Sequence, residues 1–167
     1  MAAKPLLAIV TGRAGAGKTT LAHELAFRLR CPKLSRDEIK EGLVRTSGPT
    51  PKDVQLQATD AFFDAVRLLI EAEVSLVAEA AFQHQVWSAK LKPFFEVADV
   101  RIVVCDVSAE VARARVLRRA ELDPGRERSH PLKDISEEYE PPRLEVPTLM
   151  VETSSEPGLA AILDFLN

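Results

Sequence analysis

Residues Gly12-Arg13-Ala14-Gly15-Ala16-Gly17-Lys18-Thr19 satisfy G-x-x-x-x-G-K-[ST] at every fixed position, and each fixed residue has chemical work to do there. Glycines let successive backbone N–H groups face one anion, and the N-terminus of a following helix adds partial positive charge. In such a loop Lys18 reaches the β- and γ-phosphates and the Thr19 hydroxyl ligates Mg2+; Thr20 extends the phosphate-side set. A plain turn from strand to helix does not need Gly-Lys-Thr in this register. The segment therefore predicts a nucleoside triphosphate site, with Mg2+ as the expected companion.

Three further groups of residues carry chemistry. The first is Ser35-Arg36-Asp37-Glu38-Ile39-Lys40. Ser35 and Glu38 have the spacing of a capping box, which accounts for both. Asp37 suits a first helical turn, but capping does not require it. A carboxylate there can take the proton of an attacking hydroxyl, a role that typically contributes ~10²–10⁴-fold in rate. Arg36 and Lys40 are candidate substrate contacts, with solvated charges as the alternative. The second is Glu79, set in the apolar run 74–82. A buried carboxylate needs a cation, a donor or water, so Glu79 is a candidate for Mg2+ through water, for the acceptor, or for a salt bridge. Asp106 competes for that part, but Ser108 reads as the cap of the next helix and leaves Asp106 in a turn. Phe82, with His84 and Trp87, is a candidate wall of an acceptor pocket, although packing explains each taken singly. The third group is arginine-rich. Arg115, Arg118 and Arg119 fall at i, i+3 and i+4 on one helical face, with Arg113 elsewhere. Asp123-Pro124-Gly125 then breaks the helix and Arg126, Arg128 and His130 follow. A hinge followed by arginines fits a lid that closes on triphosphate and excludes water. An inserted arginine can be worth ~10³–10⁵ in kcat. At least one of Arg115, Arg118, Arg119 and Arg126 is expected on phosphate, and spacing does not choose among them.

These groups need a scaffold that brings them to one place. Apolar runs at 6–11, 33–35, 74–81, 100–106 and 148–153 read as strands. Helical patterns cover 18–30, 36–44, 54–73, 86–96, 108–122 and 158–166. The longest puts Ala58, Ala61, Phe62, Ala65, Val66, Leu69 and Ile70 on one face. Continuously apolar strands joined by helices indicate an α/β fold with a parallel sheet covered on both sides. Its ligands sit at the carboxyl ends of the strands. Loops at 46–51 and 123–131 are rich in Gly, Pro and polar residues and are expected to move. Ser155 is expected to cap the last helix. At 167 residues the chain predicts one domain, 1–167, with the lid at about 120–133. Its net charge of −3 gives no general attraction to nucleic acid, and no membrane association is expected. Cys31 and Cys105 lie in unrelated settings without metal-ligand spacing; with no signal-peptide pattern, a cytoplasmic chain with reduced thiols is expected.

Nearly the whole chain resembles the small P-loop kinases. The resemblance is strongest to a branch that includes chloramphenicol phosphotransferase, zeta toxin and the kinase domain of polynucleotide kinase. It is carried by residues 12–19, by Ser35-Arg36-Asp37-Glu38 and by 104–115. It implies a three-layer P-loop NTPase fold: a five-stranded parallel sheet in the order 2-3-1-4-5, helices on both faces and an Arg-rich lid. It implies Asp37 as general base, and Arg115, Arg118, Arg119 and the Arg126 loop near the triphosphate. The loop from Thr153 to Pro157, including Ser154, would border the adenine. Glu79 stands where some relatives carry Asp or another residue. The expected activity is transfer of the ATP γ-phosphate to a hydroxyl of a small-molecule acceptor. Two alternatives stay open: a polynucleotide 5′-hydroxyl kinase and an ATP-binding regulatory protein. The acidic balance weighs against the first, and the presence of both Asp37 and an arginine segment against the second.

Overall fold

The computed structural model describes residues 3–47, 51–82, 84–125, 130, 132 and 138–167. Strand β1 (Leu6–Gly12) is apolar on both faces and takes the centre of the sheet. It lies between β3 (Leu76–Glu79) and β4 (Asp99–Asp106), with β2 (Lys33–Ser35) and β5 (Thr148–Glu152) at the edges. All pairs are parallel and the order is β2-β3-β1-β4-β5, as the resemblance implies.

Side chains alternate across the strands and divide the core in two. Ala8, Val10, Val103 and Cys105 pack with Leu21, Ala22 and Leu25 of α1 (Lys18–Leu29) and Ile162 and Leu166 of α6 (Leu159–Leu166). Leu7, Ile9, Ile102 and Val104 pack beneath α3 (Pro51–Glu71) and α4 (His84–Leu91), the latter continuing into a 3₁₀ turn, Lys92–Phe94. An aromatic group made of Phe62, Phe63, Phe82, Trp87 and Phe94 fills that second layer. The buried stripe of α3 differs from the predicted face: Ala61 is exposed and Phe63 is buried. The large Phe63 ring finds room against Trp87 and Phe94, and the small Ala61 has little to gain from burial.

Helix α2 (Arg36–Ser47) runs further than its pattern suggested and takes in Thr46, whose hydroxyl bonds the Gly42 carbonyl at 2.9 Å. Of the loop predicted at 46–51, residues 46 and 47 end α2, Pro51 begins α3, and 48–50 lie outside the described residues. Helix α5 (Ala109–Leu122) is capped by Ser108, which accepts from the Val111 N–H at 3.3 Å. The expected lid arginines Arg126 and Arg128 lie outside the described residues. Beyond them, Tyr139, Leu144 and Val146 pack back on the α3 side of the core. Ser155 does not cap α6, whose N-cap is Gly158 with no side-chain bond. Among the described residues no helix is long and apolar enough to cross a membrane. With every strand parallel, Gly12, Ser35, Glu79, Asp106 and Glu152 all end on one edge of the sheet.

Candidate active site

The loop between β1 and α1 is shaped by its glycines. Gly15 has φ +81°, and a Cβ there would stand 2.2 Å from the Ala112 carbonyl oxygen on α5. Gly17 caps α1 at φ +82° and offers no side chain to its first turn, whose N–H groups are thus left to face a ligand. The loop closes through Ala16 N–H to Arg13 O at 3.1 Å. Lys18 folds back over it and donates to the same carbonyl at 3.0 Å. Burial pushes the Lys18 ammonium below its usual range, opposed first by Glu79 and then by Asp37, while Arg119 adds to the lowering. A cation held this dry is ready to meet phosphate charge.

Glu79 ends β3 directly opposite Val10 on β1 and Ser35 on β2. It is 1% exposed. The Ser35 hydroxyl donates to its Oε2 at 2.6 Å, and the Thr19 hydroxyl to its Oε1 at 3.4 Å. Burial raises the Glu79 carboxyl above the usual range, and the Ser35 bond and the Lys18 charge pull against that. This corrects the capping-box reading. Glu38 sends its carboxylate to Lys33 rather than back to Ser35, and its N–H lies 3.5 Å from the Ser35 oxygen, a marginal cap. The Ser35 hydroxyl also serves Glu79, a contact that only strand pairing brings about.

Asp37 follows in the first turn of α2, half-buried, with Arg36 Nη1 3.6 Å from its Oδ1. Arg36 is committed to α3: Nε donates to Thr59 Oγ1 at 3.3 Å, Nη2 to the Gln55 carbonyl at 3.1 Å, and its guanidinium lies 5.7 Å from the Trp87 ring centre. Lys40 is buried as well. Asp37, Glu79, Lys18, Thr19, Arg119 and His130 line one cavity of about 110 Å³. Phe82, a candidate acceptor contact from sequence, is not among its walls. Its ring is wholly buried against Phe62 and Trp87, and its N–H bonds Thr11 Oγ1 at 2.9 Å. Trp87 belongs to the same aromatic layer, while the His84 side chain lies outside the described residues.

A second, larger groove of about 1000 Å³ leads away from the phosphate loop past Thr20, Arg115, Thr153 and Ser155. Arg115 braces its floor. Its Nη1 donates to Gly15 O at 3.4 Å and its Nη2 to Thr153 O at 2.8 Å and Ser154 O at 3.3 Å. The Thr153 hydroxyl meets Ala16 O at 2.7 Å and Asp106 O at 3.0 Å, tying the end of β5 beneath the loop. Arg118 lines this groove, whereas Arg119 borders both spaces. The face of three arginines therefore divides: Arg115 supports the backbone, and Arg119 reaches the Asp37 side. The adjacent Thr19 hydroxyl and Glu79 carboxylate suit a hard cation. Among the described residues no three His, Cys, Asp or Glu converge, so such a cation would take most of its ligands from phosphate and water.

Residues 7–142, most of the chain, match the family described as an AAA domain. The chain belongs to that family. Solved structures place this AAA domain among the small P-loop kinases in fold. A candidate kinase from Chloroflexus aurantiacus is 23% identical, with a TM-score of 0.85 over 97% of this chain and 96% of its own. A sugar kinase from Janibacter sp. is 18% identical, at 0.66 over 97% and 94%. The Mycobacterium tuberculosis APS kinase, solved with AMPPNP and APS, is 17% identical, at 0.69 over 99% of each chain. No curated protein matches this AAA domain significantly.

Proposed function

We propose that this chain is an ATP-dependent phosphotransferase that moves the γ-phosphoryl group to a hydroxyl of a small molecule. The observation that carries the reading is the convergence of Asp37, Lys18, Thr19, Glu79 and Arg119 on one cavity at the carboxyl edge of the sheet. A nucleotide binder that does no transfer can use the loop and Glu79 for phosphate and metal, but has no use for Asp37 and Arg119 facing them.

Each residue then has a part. The loop N–H groups and Lys18 hold the β- and γ-phosphates and stabilise the charge that builds on the departing oxygen. Asp37 accepts the proton of the acceptor hydroxyl as that oxygen bonds to the γ-phosphorus and the bond to the β-phosphate oxygen breaks, releasing ADP. Arg36, anchored on α3, fixes Asp37 in place. Arg119 faces the transferring group, and Arg126 is proposed to join it. Thr153 and Ser154, held by Arg115, border the base. Mg2+, held by the Thr19 hydroxyl and through water by Glu79, would neutralise phosphate charge when bound.

The acceptor side supports the choice of a small substrate. Its walls join Asp37 and Glu79 with Lys18, Arg119, His130 and the apolar Ala81 and Leu132, and its volume of about 110 Å³ suits a small acceptor. Polynucleotide binding draws its strength from neutralised phosphates, and this chain carries a net −3. The printed functions of two structural neighbours, sugar kinase and APS kinase, fit the same class of acceptor size.

The test uses γ-labelled ATP with a panel of polyols and sugars and, separately, a 5′-hydroxyl oligonucleotide. Label should pass to a member of the small panel. Asp37→Asn should keep ATP affinity near wild type and cut transfer by ~10²–10⁴-fold. Undiminished transfer in that variant rejects Asp37 as the base. Strong labelling of the oligonucleotide favours a polynucleotide acceptor, and tight ATP binding with no product favours a regulatory role.

A further inference from the structure

One pair of side chains beside Asp37 has no part in the transfer chemistry above. His130 Nε2 lies 3.1 Å from Glu41 Oε1, across 89 positions of sequence. Glu41 follows Asp37 by four residues on α2, so both project from the same face of the helix. His130 and Leu132 line the cavity that holds Asp37 and Lys18. Further along the same stretch, the Tyr139 hydroxyl meets Thr11 Oγ1 at 2.7 Å, at the residue just before Gly12. Upstream, Arg119 on α5 borders the cavity as well. The chain after α5 is thus held to the acceptor helix at one point and to the phosphate-loop strand at another.

We infer that Glu41 and His130 form a clasp that sets the acceptor-side wall of the Asp37 cavity, making both of them positioning residues for the transfer reaction. The inference rests on the phosphotransferase reading. The clasp holds His130 across the space where a hydroxyl must approach Asp37, so it orients an acceptor that fits and keeps bulk water from taking its place. Because its members act on position rather than on phosphate, loss of the pair changes what attacks the γ-phosphorus more than it changes nucleotide binding.

Two measurements on the full chain test this. The first is a double-mutant cycle on unfolding stability with His130→Ala and Glu41→Gln. The double variant should lose less than the sum of the single losses, and additive losses would show that there is no clasp. The second is acceptor-free hydrolysis of Mg-ATP, followed by phosphate release. His130→Ala should raise it several-fold with KM for ATP unchanged, Glu41→Gln should act in the same direction, and His130→Gln, which can still bond Glu41, should return it towards wild type. Unchanged hydrolysis in His130→Ala, or a rise accompanied by an equal rise in KM for ATP, overturns the positioning role. If wild type and Lys18→Ala release phosphate at the same rate, the phosphotransferase reading fails and the inference with it. The stability cycle would still report on the contact itself, so the two failures are told apart.

Discussion

Placing an alanine at Gly15 tests how the phosphate loop is built. Gly15 has φ +81°, and a Cβ there would lie 2.2 Å from Ala112 O, 2.9 Å from Ala112 C and 3.0 Å from Ala112 Cα, all backbone atoms of α5. An L side chain in the left-handed region costs about 1–2 kcal/mol, and overpacking against unyielding atoms adds about 1–3 kcal/mol. Gly15→Ala should therefore lose roughly 2–5 kcal/mol of stability, a large share of a typical domain's total. Gly17 provides the control. Its φ is nearly the same, +82°, but the nearest atoms to its added Cβ are Arg115 Nη1 at 3.9 Å and the Thr153 Cβ at 4.0 Å. Gly17→Ala should lose only the conformational part, about 1–2 kcal/mol. Denaturant unfolding without nucleotide measures both. Relief of the Gly15 contact needs roughly an ångström of loop movement, and displacement of that size at a positioned site costs about 100-fold in turnover. Trimming Ala112 to glycine should not rescue the variant, because the clash is with backbone. Equal losses in the two glycine variants, or turnover in Gly15→Ala close to wild type, would refute the idea that α5 is a wall of the loop.

Other outcomes follow from the same site. Arg115→Ala removes donors from three carbonyls on two segments, and loss of about 1.5 kcal/mol should weaken binding of a non-hydrolysable ATP analogue roughly tenfold in a calorimetric titration. Arg115→Lys should recover little of this, because an ammonium cannot span the carbonyls as the guanidinium fork does. Arg119→Ala should instead lower turnover by about 10³ or more while affinity changes little. Glu79 gives a pH signature. Burial raises its folded-state carboxyl, so the folded chain holds that proton more firmly than the unfolded chain does. Its favourable contribution is complete below the unfolded carboxylate range and is lost as pH climbs through the raised folded value. The Tm of Glu79→Gln minus that of wild type should widen from acid to neutral pH, and a constant difference would contradict the assignment.

Local chemistry made the phosphate loop legible in the sequence, because Gly12 to Thr19 are contiguous and each acts through its own backbone or side chain. The strands were legible within two residues at their ends because parallel central strands are apolar on both faces. Contacts between distant segments were not. Ser35 has the spacing of a cap, and its bond to Glu79, 44 residues away, exists only because β2 and β3 pair in that register. Phe82 follows Glu79 and looked as though it faced an acceptor. Three residues past the strand the chain turns its ring into the aromatic layer under α3, where burial outweighs any use at the surface. Arg36 similarly reads as a substrate contact or a solvated charge beside Asp37, yet Thr59, Gln55 and Trp87 capture it. Tyr139 carries no motif, and its bond to Thr11 depends on a chain return that no periodicity marks.

The bond from the Thr153 hydroxyl to the Ala16 carbonyl joins residues 137 positions apart. The loop's sequence is complete at Thr19, but the floor beneath it comes from the end of β5, far along the chain. A nascent chain lacking β5 would carry the whole motif and still lack the support that holds its carbonyls in line. Nucleotide capture should therefore wait until β5 has joined the sheet, so that a partly made chain does not hold ATP in an open site.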